Sequence, residues 1–276
     1  MSRPGQTPIL ALTITLLLSA CGTAATAPTE PDSLPPDTTI ARIGTASTEA
    51  PPAVPPDELD PSDPPETPTT VPSPPDSIAG LTSGEIAVFA AIGDDEPFRI
   101  LPEKTILGTP TVVSIIGEFP GWVHALLPGR PNGQTGWIRA ADVDVFTLER
   151  EVLVDLDVRR LTVLSDGEQV FESDVAVGSE VSPTPTGVFF VTDAVQLTSP
   201  NGPWGPYAFG LSARSDVVTE FNGGDGIVGI HGTNQPWSIG EAASLGCVRL
   251  PNDVIEILWD IMAVGMKVTI TGSGST

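Results

Sequence analysis

Half of the chain's prolines fall in one stretch, and this decides where a fold can form. Residues 22–80 hold 15 of the 30 prolines, ten acidic residues, one base (Arg42) and no aromatic side chain. A segment so poor in large apolar groups cannot bury enough surface to offset the entropy of ordering it. Residues 22–80 are therefore predicted to be a tether with polyproline II character. Such a tether reaches ~40 Å as a random coil and ~180 Å fully extended. It either carries a domain well away from its attachment point or is a plain spacer. The rest of the 276 residues suffices for one or two domains with a real core.

The N-terminus reads as an address. Arg3 precedes the apolar run Ile9–Leu18, which is too short to span a bilayer and suits a signal peptide. The sequence Leu18-Ser19-Ala20-Cys21 resembles the lipobox of bacterial lipoproteins. The resemblance implies a signal peptide over 1–21, lipidation of Cys21 and attachment to the membrane through that lipid. An ordinary secretory signal beside a cysteine is the alternative, and either one exports the chain. The expected location is the extracytoplasmic face of the cell membrane. With 12 basic and 35 acidic side chains the formal charge is −23, and the only lysines are Lys104 and Lys267. Nucleic acid is excluded as a partner, because phosphate binding needs clustered cations. An anionic membrane surface is disfavoured as a direct electrostatic partner for the same reason. Two cysteines and two histidines leave no set of soft ligands for a structural zinc site, so no metal is expected.

Beyond the tether, short alternating apolar runs separated by Gly and Pro predict a mainly β protein. Glu85–Phe89, Thr111–Ile116, Trp122–Leu127 and Thr135–Ile138 read as strands of a small barrel over 81–147. Gly121-Trp122-Val123-His124, Pro128–Gly133 and Gly136-Trp137-Ile138 resemble a bacterial SH3-like domain. The resemblance implies wall binding or substrate positioning, with a packing module that holds no ligand as the alternative. His124, within an apolar strand, is expected to be structural or at the surface.

Residues 148–272 form a second β-rich unit, followed by a short tail over 273–276. Glu151–Leu156 and Arg160–Leu164 are predicted strands, and Ser165-Asp166-Gly167-Glu168 a hairpin turn leading to Gln169–Phe171. Val254, Ile257, Leu258, Ile261 and Met262 recur at helical spacing, with Asn252 as the expected N-cap. Gly265 is expected to end this helix before the strand Met266–Ile270. The unit is predicted to be a β-sandwich with one helix at its edge.

The chemistry concentrates in one window. If Cys21 is lipidated, Cys247 is a lone thiol in an exported protein, and is reactive, paired between molecules or simply buried. It sits in the Gly-bearing turn Ser244-Leu245-Gly246-Cys247-Val248-Arg249, where Arg249 supplies positive charge. If Cys247 needs a base, His231 is the imidazole available in its unit. Such a pair works either neutral or as thiolate–imidazolium, and the sequence leaves both open.

The stretch His231-Gly232-Thr233-Asn234-Gln235-Pro236, with Ile239-Gly240 and Ser244–Leu250, resembles the signature of the L,D-transpeptidases, the YkuD-type catalytic domain. Val177-Gly178, Pro183–Phe189 and Gly205–Leu211 carry the likeness upstream. Leu245 departs from the pattern, since many members carry a second His there. The resemblance implies a cysteine acyltransferase of the cell wall that needs no cofactor. Cys247 would attack the bond before the terminal D-Ala of a peptidoglycan tetrapeptide stem, with His231 as base. The diamino-acid amine of a second stem would accept the acyl group in a 3→3 cross-link. Backbone N–H groups around Gly246 and Cys247 would form the oxyanion hole. Ser244 would fix the loop or the imidazole tautomer, and Arg249 would brace the loop or orient substrate. Gly232 would serve close packing beside His231; Gly232, Thr233, Tyr207 and Trp237 are candidate cleft residues. A carbapenem is expected to acylate Cys247. The alternatives are an L,D-carboxypeptidase, attachment of wall proteins through the same thioester, or a non-catalytic wall-binding lipoprotein. Gly223-Gly224-Asp225-Gly226 lacks the end of a phosphate loop and reads as a hairpin turn.

Overall fold

A computed structural model describes residues 77–82, 84–221 and 224–273. The expected signal peptide, Cys21, nearly all of the tether and the last three residues of the tail lie outside the described residues.

The N-terminal module is an antiparallel sheet. Its strands are β1 (Ser77–Thr82), β2 (Ile86–Val88), β3 (Arg99–Leu101), β4 (Val112–Phe119), β5 (Trp122–Leu126), β6 (Thr135–Arg139) and β7 (Val143–Leu148). Five of them run in the order β6-β5-β4-β1-β7, and β2 with β3 forms a separate ribbon. Ile86, Val88, Leu101, Val113, Val123 and Ile138 fill the core. The predicted end of the tether is corrected here. Ser77–Thr82 is proline-free, and as β1 it pairs with β4 on one side and β7 on the other, with Ala79 fully buried. A strand with neighbours on both edges has its backbone groups satisfied.

The second module contains β8 (Arg150–Asp155), β9 (Arg160–Ser165), β10 (Glu168–Asp174), β11 (Val177–Gly178), β12 (Gly187–Gln196) and β13 (Tyr207–Arg214). It continues through β14 (Glu220–Phe221), β15 (Gly224–Asp225), β16 (Ile227–His231), β17 (Ala242–Ser244) and β18 (Val248–Arg249). Helix α1 (Asn252–Trp259) and β19 (Lys267–Thr271) complete it. The predicted turn at Asp166-Gly167 is present; both residues have positive φ, as a tight hairpin requires.

The expected two-sheet sandwich is instead one curled sheet of eight strands, ordered β10-β9-β8-β19-β12-β13-β16-β18. The reason lies in β12. Gly187–Phe190 pair with β19, and Val191–Gln196 pair with β13, with a register shift between Val191 and Asp193. A bulge in so long a strand bends it, so the sheet turns without breaking.

Helix α1 buries Ile255 and Leu258 in the core that the sheet encloses. Asn252 does not cap it. Pro251 holds the N-cap position, and the Asn252 side chain turns away to accept from Thr233 N at 2.8 Å. The helix also stops sooner than predicted, at Trp259 with Asp260 as its C-cap, so Gly265 shapes the later turn into β19.

Candidate active site

Strand β16 carries His231 at its end, and β18 runs parallel beside it, pairing Ile230 with Val248 and His231 with Arg249. Cys247 immediately precedes β18. This pairing brings the thiol and imidazole, 16 positions apart in the chain, into one cleft of about 150 Å3. Trp204, Ser215, Ile227, Ser244, Leu245 and Arg249 also line it.

The loop bearing Cys247 is tied down from within and from behind. Ser244 Oγ donates to the Cys247 carbonyl at 2.6 Å and accepts from Gly246 N at 3.0 Å. Gly246 has φ +114°, a conformation that a side chain would strain. Ser182 Oγ donates to the Leu245 carbonyl at 2.9 Å, and Ser179 N donates to the Ser244 carbonyl at 3.0 Å. The upstream Val177–Gly187 stretch is thus the buttress of the cysteine turn.

His231 is almost wholly buried, and its Nδ1 contacts the Gly232 carbonyl at 2.5 Å. A carbonyl only accepts, so the proton sits on Nδ1 and the lone pair on Nε2. The Trp204 ring lies over the imidazole with centroids 4.6 Å apart. Burial pushes the imidazole pKa down to about 4; the Arg249 charge adds to this, and the Gly232 bond opposes it. Burial likewise pushes the Cys247 thiol up, against a backbone hydrogen bond from Gly229 and the Arg249 charge. Both shifts favour the uncharged form of the group concerned. Of the two forms that the sequence left open, these directions favour the neutral pair.

The remaining candidates divide. Ser244 and Arg249 line the cleft, and Arg249 also braces Gln235, donating from Nη1 to Oε1 at 2.9 Å. Gly246 shapes the turn, but its N–H is held by Ser244 Oγ and does not point to an oxyanion. Gly232 serves close packing: a Cβ there would lie 2.5 Å from Asn252 Oδ1 and 3.0 Å from Gly205 Cα. Thr233 is buried in the following turn, where its Oγ1 accepts from Gln235 N at 3.0 Å. Gly232 and Thr233 are not among the residues lining the cleft. Neither is Tyr207, which stacks on Trp259 at 4.4 Å against the helix. Trp237 stands 75% exposed on a 3-10 turn, Pro236–Ser238, away from the cleft lining. Each aromatic follows its local element, one a strand packed under α1 and the other an exposed turn.

Trp204 escaped the sequence reading. Its signal was a large aromatic inside Gly202-Pro203-Trp204-Gly205-Pro206, where a loop has no core to fill. His124, in the N-terminal module, stacks on Trp137 at 4.5 Å and belongs to packing. Among the described residues no group of three His, Cys, Asp or Glu side chains is placed to hold a metal ion.

The YkuD family of L,D-transpeptidase catalytic domains matches residues 149–270. The Bacillus subtilis (strain 168) protein named L,D-transpeptidase YkuD is 33% identical over 167 residues, which cover 58% of this chain and 93% of that protein. A second protein of the same strain, named L,D-transpeptidase YqjB, is 34% identical over 131 residues, covering 44% of this chain and 70% of its own length. Among solved structures, the catalytic domain of an E. faecium L,D-transpeptidase is 23% identical with a TM-score of 0.33, covering 45% of this chain and 98% of that domain.

Proposed function

Because the chain belongs to the YkuD family of L,D-transpeptidase catalytic domains, we propose that it cross-links peptidoglycan stem peptides through a thioester on Cys247. The observation that carries this reading is the shared cleft of His231 and Cys247, with the His231 lone pair on Nε2. As the Cys247 sulfur attacks the carbonyl before the terminal D-Ala, Nε2 takes the thiol proton. The imidazolium then gives that proton to the departing D-Ala nitrogen, leaving a thioester and a neutral ring. An acceptor amine from a second stem attacks the thioester, His231 takes its proton, and the sulfur leaves to recover it. The product is a 3→3 cross-link. Water as acceptor gives a carboxypeptidase from the same thioester, and a protein amine gives wall attachment.

Negative charge on the carbonyl oxygen needs donors. With the Gly246 N–H engaged by Ser244, the Cys247 N–H is the donor this reading uses, and one such donor is worth ~3 kcal/mol in the transition state. A neutral resting pair suits attack on an uncharged amide, because charge develops only as the reaction proceeds.

The reading extends to the rest of the chain. The N-terminal module is a bacterial SH3-like unit that positions wall substrate, and Cys21 carries the lipid that holds the protein at the extracytoplasmic face of the membrane. A carbapenem acylates Cys247.

One experiment tests this. The protein is incubated with a disaccharide-tetrapeptide muropeptide, with Cys247→Ala as control, and the products are weighed by mass spectrometry. A dimer lacking one D-Ala is expected from the wild type and nothing from the variant. Tripeptide alone would replace the transpeptidase with the carboxypeptidase. Unchanged substrate, together with an unmodified mass after carbapenem treatment, would leave a non-catalytic wall-binding protein.

A further inference from the structure

One wall of the catalytic cleft is built from the segment that joins β13 to β16. Ser215, Val218, Gly226 and Ile227 all face the space that holds His231 and Cys247. The segment leaves β13 after Arg214, folds back through the β14–β15 ribbon and returns into β16. Its internal ties include the pairing of β14 with β15. Ser215 N donates to the Gly226 carbonyl at 2.9 Å, and Ser215 Oγ accepts from Val218 N at 3.0 Å.

A single turn of the N-terminal module grips the base of this segment. Gly129 N donates to the Ser212 carbonyl at 3.0 Å. Asn132 pairs reciprocally with the Arg214 backbone: its Nδ2 donates to the carbonyl and its Oδ1 accepts from the N–H, both at 2.8 Å. Arg130 donates from Nη2 to the Ser215 carbonyl at 2.6 Å and from Nε to Asp225 Oδ1 at 2.8 Å. Ser215 starts the segment and Asp225 lies at its return, so one guanidinium spans both sides of the base. The turn is itself braced, because Arg99 donates to the Pro128 carbonyl at 2.7 Å and to Gln134 Oε1 at 2.9 Å.

We propose that Arg130 is a positioning residue for substrate. By spanning Ser215 and Asp225 it sets the shape of the cleft wall against which the stem peptide lies. The proposal rests on the stem-peptide reading above. A planar guanidinium can hold two acceptors in a fixed relation, which a lysine ammonium cannot. Removing it does not strand a charge, since Asp225 Oδ2 still accepts from Arg214 Nε at 3.1 Å. What is lost is the bridge, not the fold. A wall that touches the peptide away from the reacting carbonyl contributes to binding more than to the chemical step, so its loss appears in KM.

The test compares Arg130→Ala and Arg130→Lys with the wild-type protein by three readouts. Muropeptide kinetics should show KM raised roughly tenfold in Arg130→Ala with kcat little changed, a loss of ~1.4 kcal/mol in kcat/KM. Arg130→Lys should fall between. Alkylation of Cys247 by iodoacetamide should stay within about twofold of wild type, because the thiol and imidazole are untouched. Amide hydrogen exchange should quicken across 215–221 and 224–227 and stay unchanged in the core strands of the sheet. Unchanged exchange over 215–221 and 224–227 in Arg130→Ala would overturn the proposal, as would quickened exchange with kcat/KM within twofold of wild type. A parallel fall in alkylation and kcat would also overturn it, by showing a general loss of structure. A wild-type protein without turnover would defeat the stem-peptide reading instead. In that case the exchange data alone would decide whether Arg130 holds the wall.

Discussion

Acidification from pH 7 to pH 4 should expose the burial of His231 as a loss of stability. The folded ring has a pKa of about 4 against 6.5 when free. Above pH 6.5 both folded and unfolded chains hold a neutral ring, and the residue adds no pH dependence. Between 6.5 and 4 the unfolded chain binds a proton that the folded chain refuses, so stability falls. Below 4 both states are protonated and the loss stops growing. The gap of about 2.5 pH units, at ~1.4 kcal/mol per unit, amounts to ~3 kcal/mol at pH 4. Other groups also titrate in this range, so the measurement is a difference. Urea denaturation of wild type and His231→Gln would be compared at pH 7 and pH 4. Gln does not titrate, and its amide can still donate to the Gly232 carbonyl. The wild type should lose ~3 kcal/mol more than the variant. The same burial disfavours a protonated ring at pH 7, and with it a thiolate–imidazolium resting pair. Equal losses in the two proteins, or an NMR midpoint for the His231 ring at pH 6 or above, would refute the neutral pair.

Two further substitutions probe the same site. Trp204→Ala removes the ring 4.6 Å from the imidazole and lets water reach it, so the His231 midpoint should rise from about 4 toward 6.5 in an NMR titration; an unmoved midpoint would show that Trp204 does not keep the ring dry. Gly246→Ala meets no atom closer than 3.5 Å, so its cost should be backbone strain alone, ~1–3 kcal/mol by urea denaturation; a neutral effect would contradict the φ of +114°.

Much of the β character was legible because period-two runs such as Trp122–Leu127 and Arg160–Leu164 lie between clear turn residues, and these became strands within a residue or two. The tether boundary was misplaced by four residues, since Ser77–Gly80 carries no strong strand former beyond Ile78 and gains its place only by pairing on both edges. Asn252 looked like a cap because capping is a local habit of Asn. Its side chain went instead to Thr233 N, a partner 19 positions away that no local pattern reveals. Tyr207 and Trp237 were ambiguous for the same reason, as an aromatic's type says nothing of which surface it will meet.

The sequence by itself determined which thiol and which imidazole the second module offers. The second module contains one thiol, in a glycine turn, and one imidazole, and these residue types are fixed by the sequence. The tertiary structure decided how those atoms are charged and what surrounds them. Parallel pairing of β16 with β18 brings His231 and Cys247 together, and burial disfavours the charged form of each. Contacts such as Trp204 over His231 and Arg130 across the cleft wall join residues far apart in the chain. Burial and long-range contact are properties of the assembled surface, and a linear pattern of residue types carries neither.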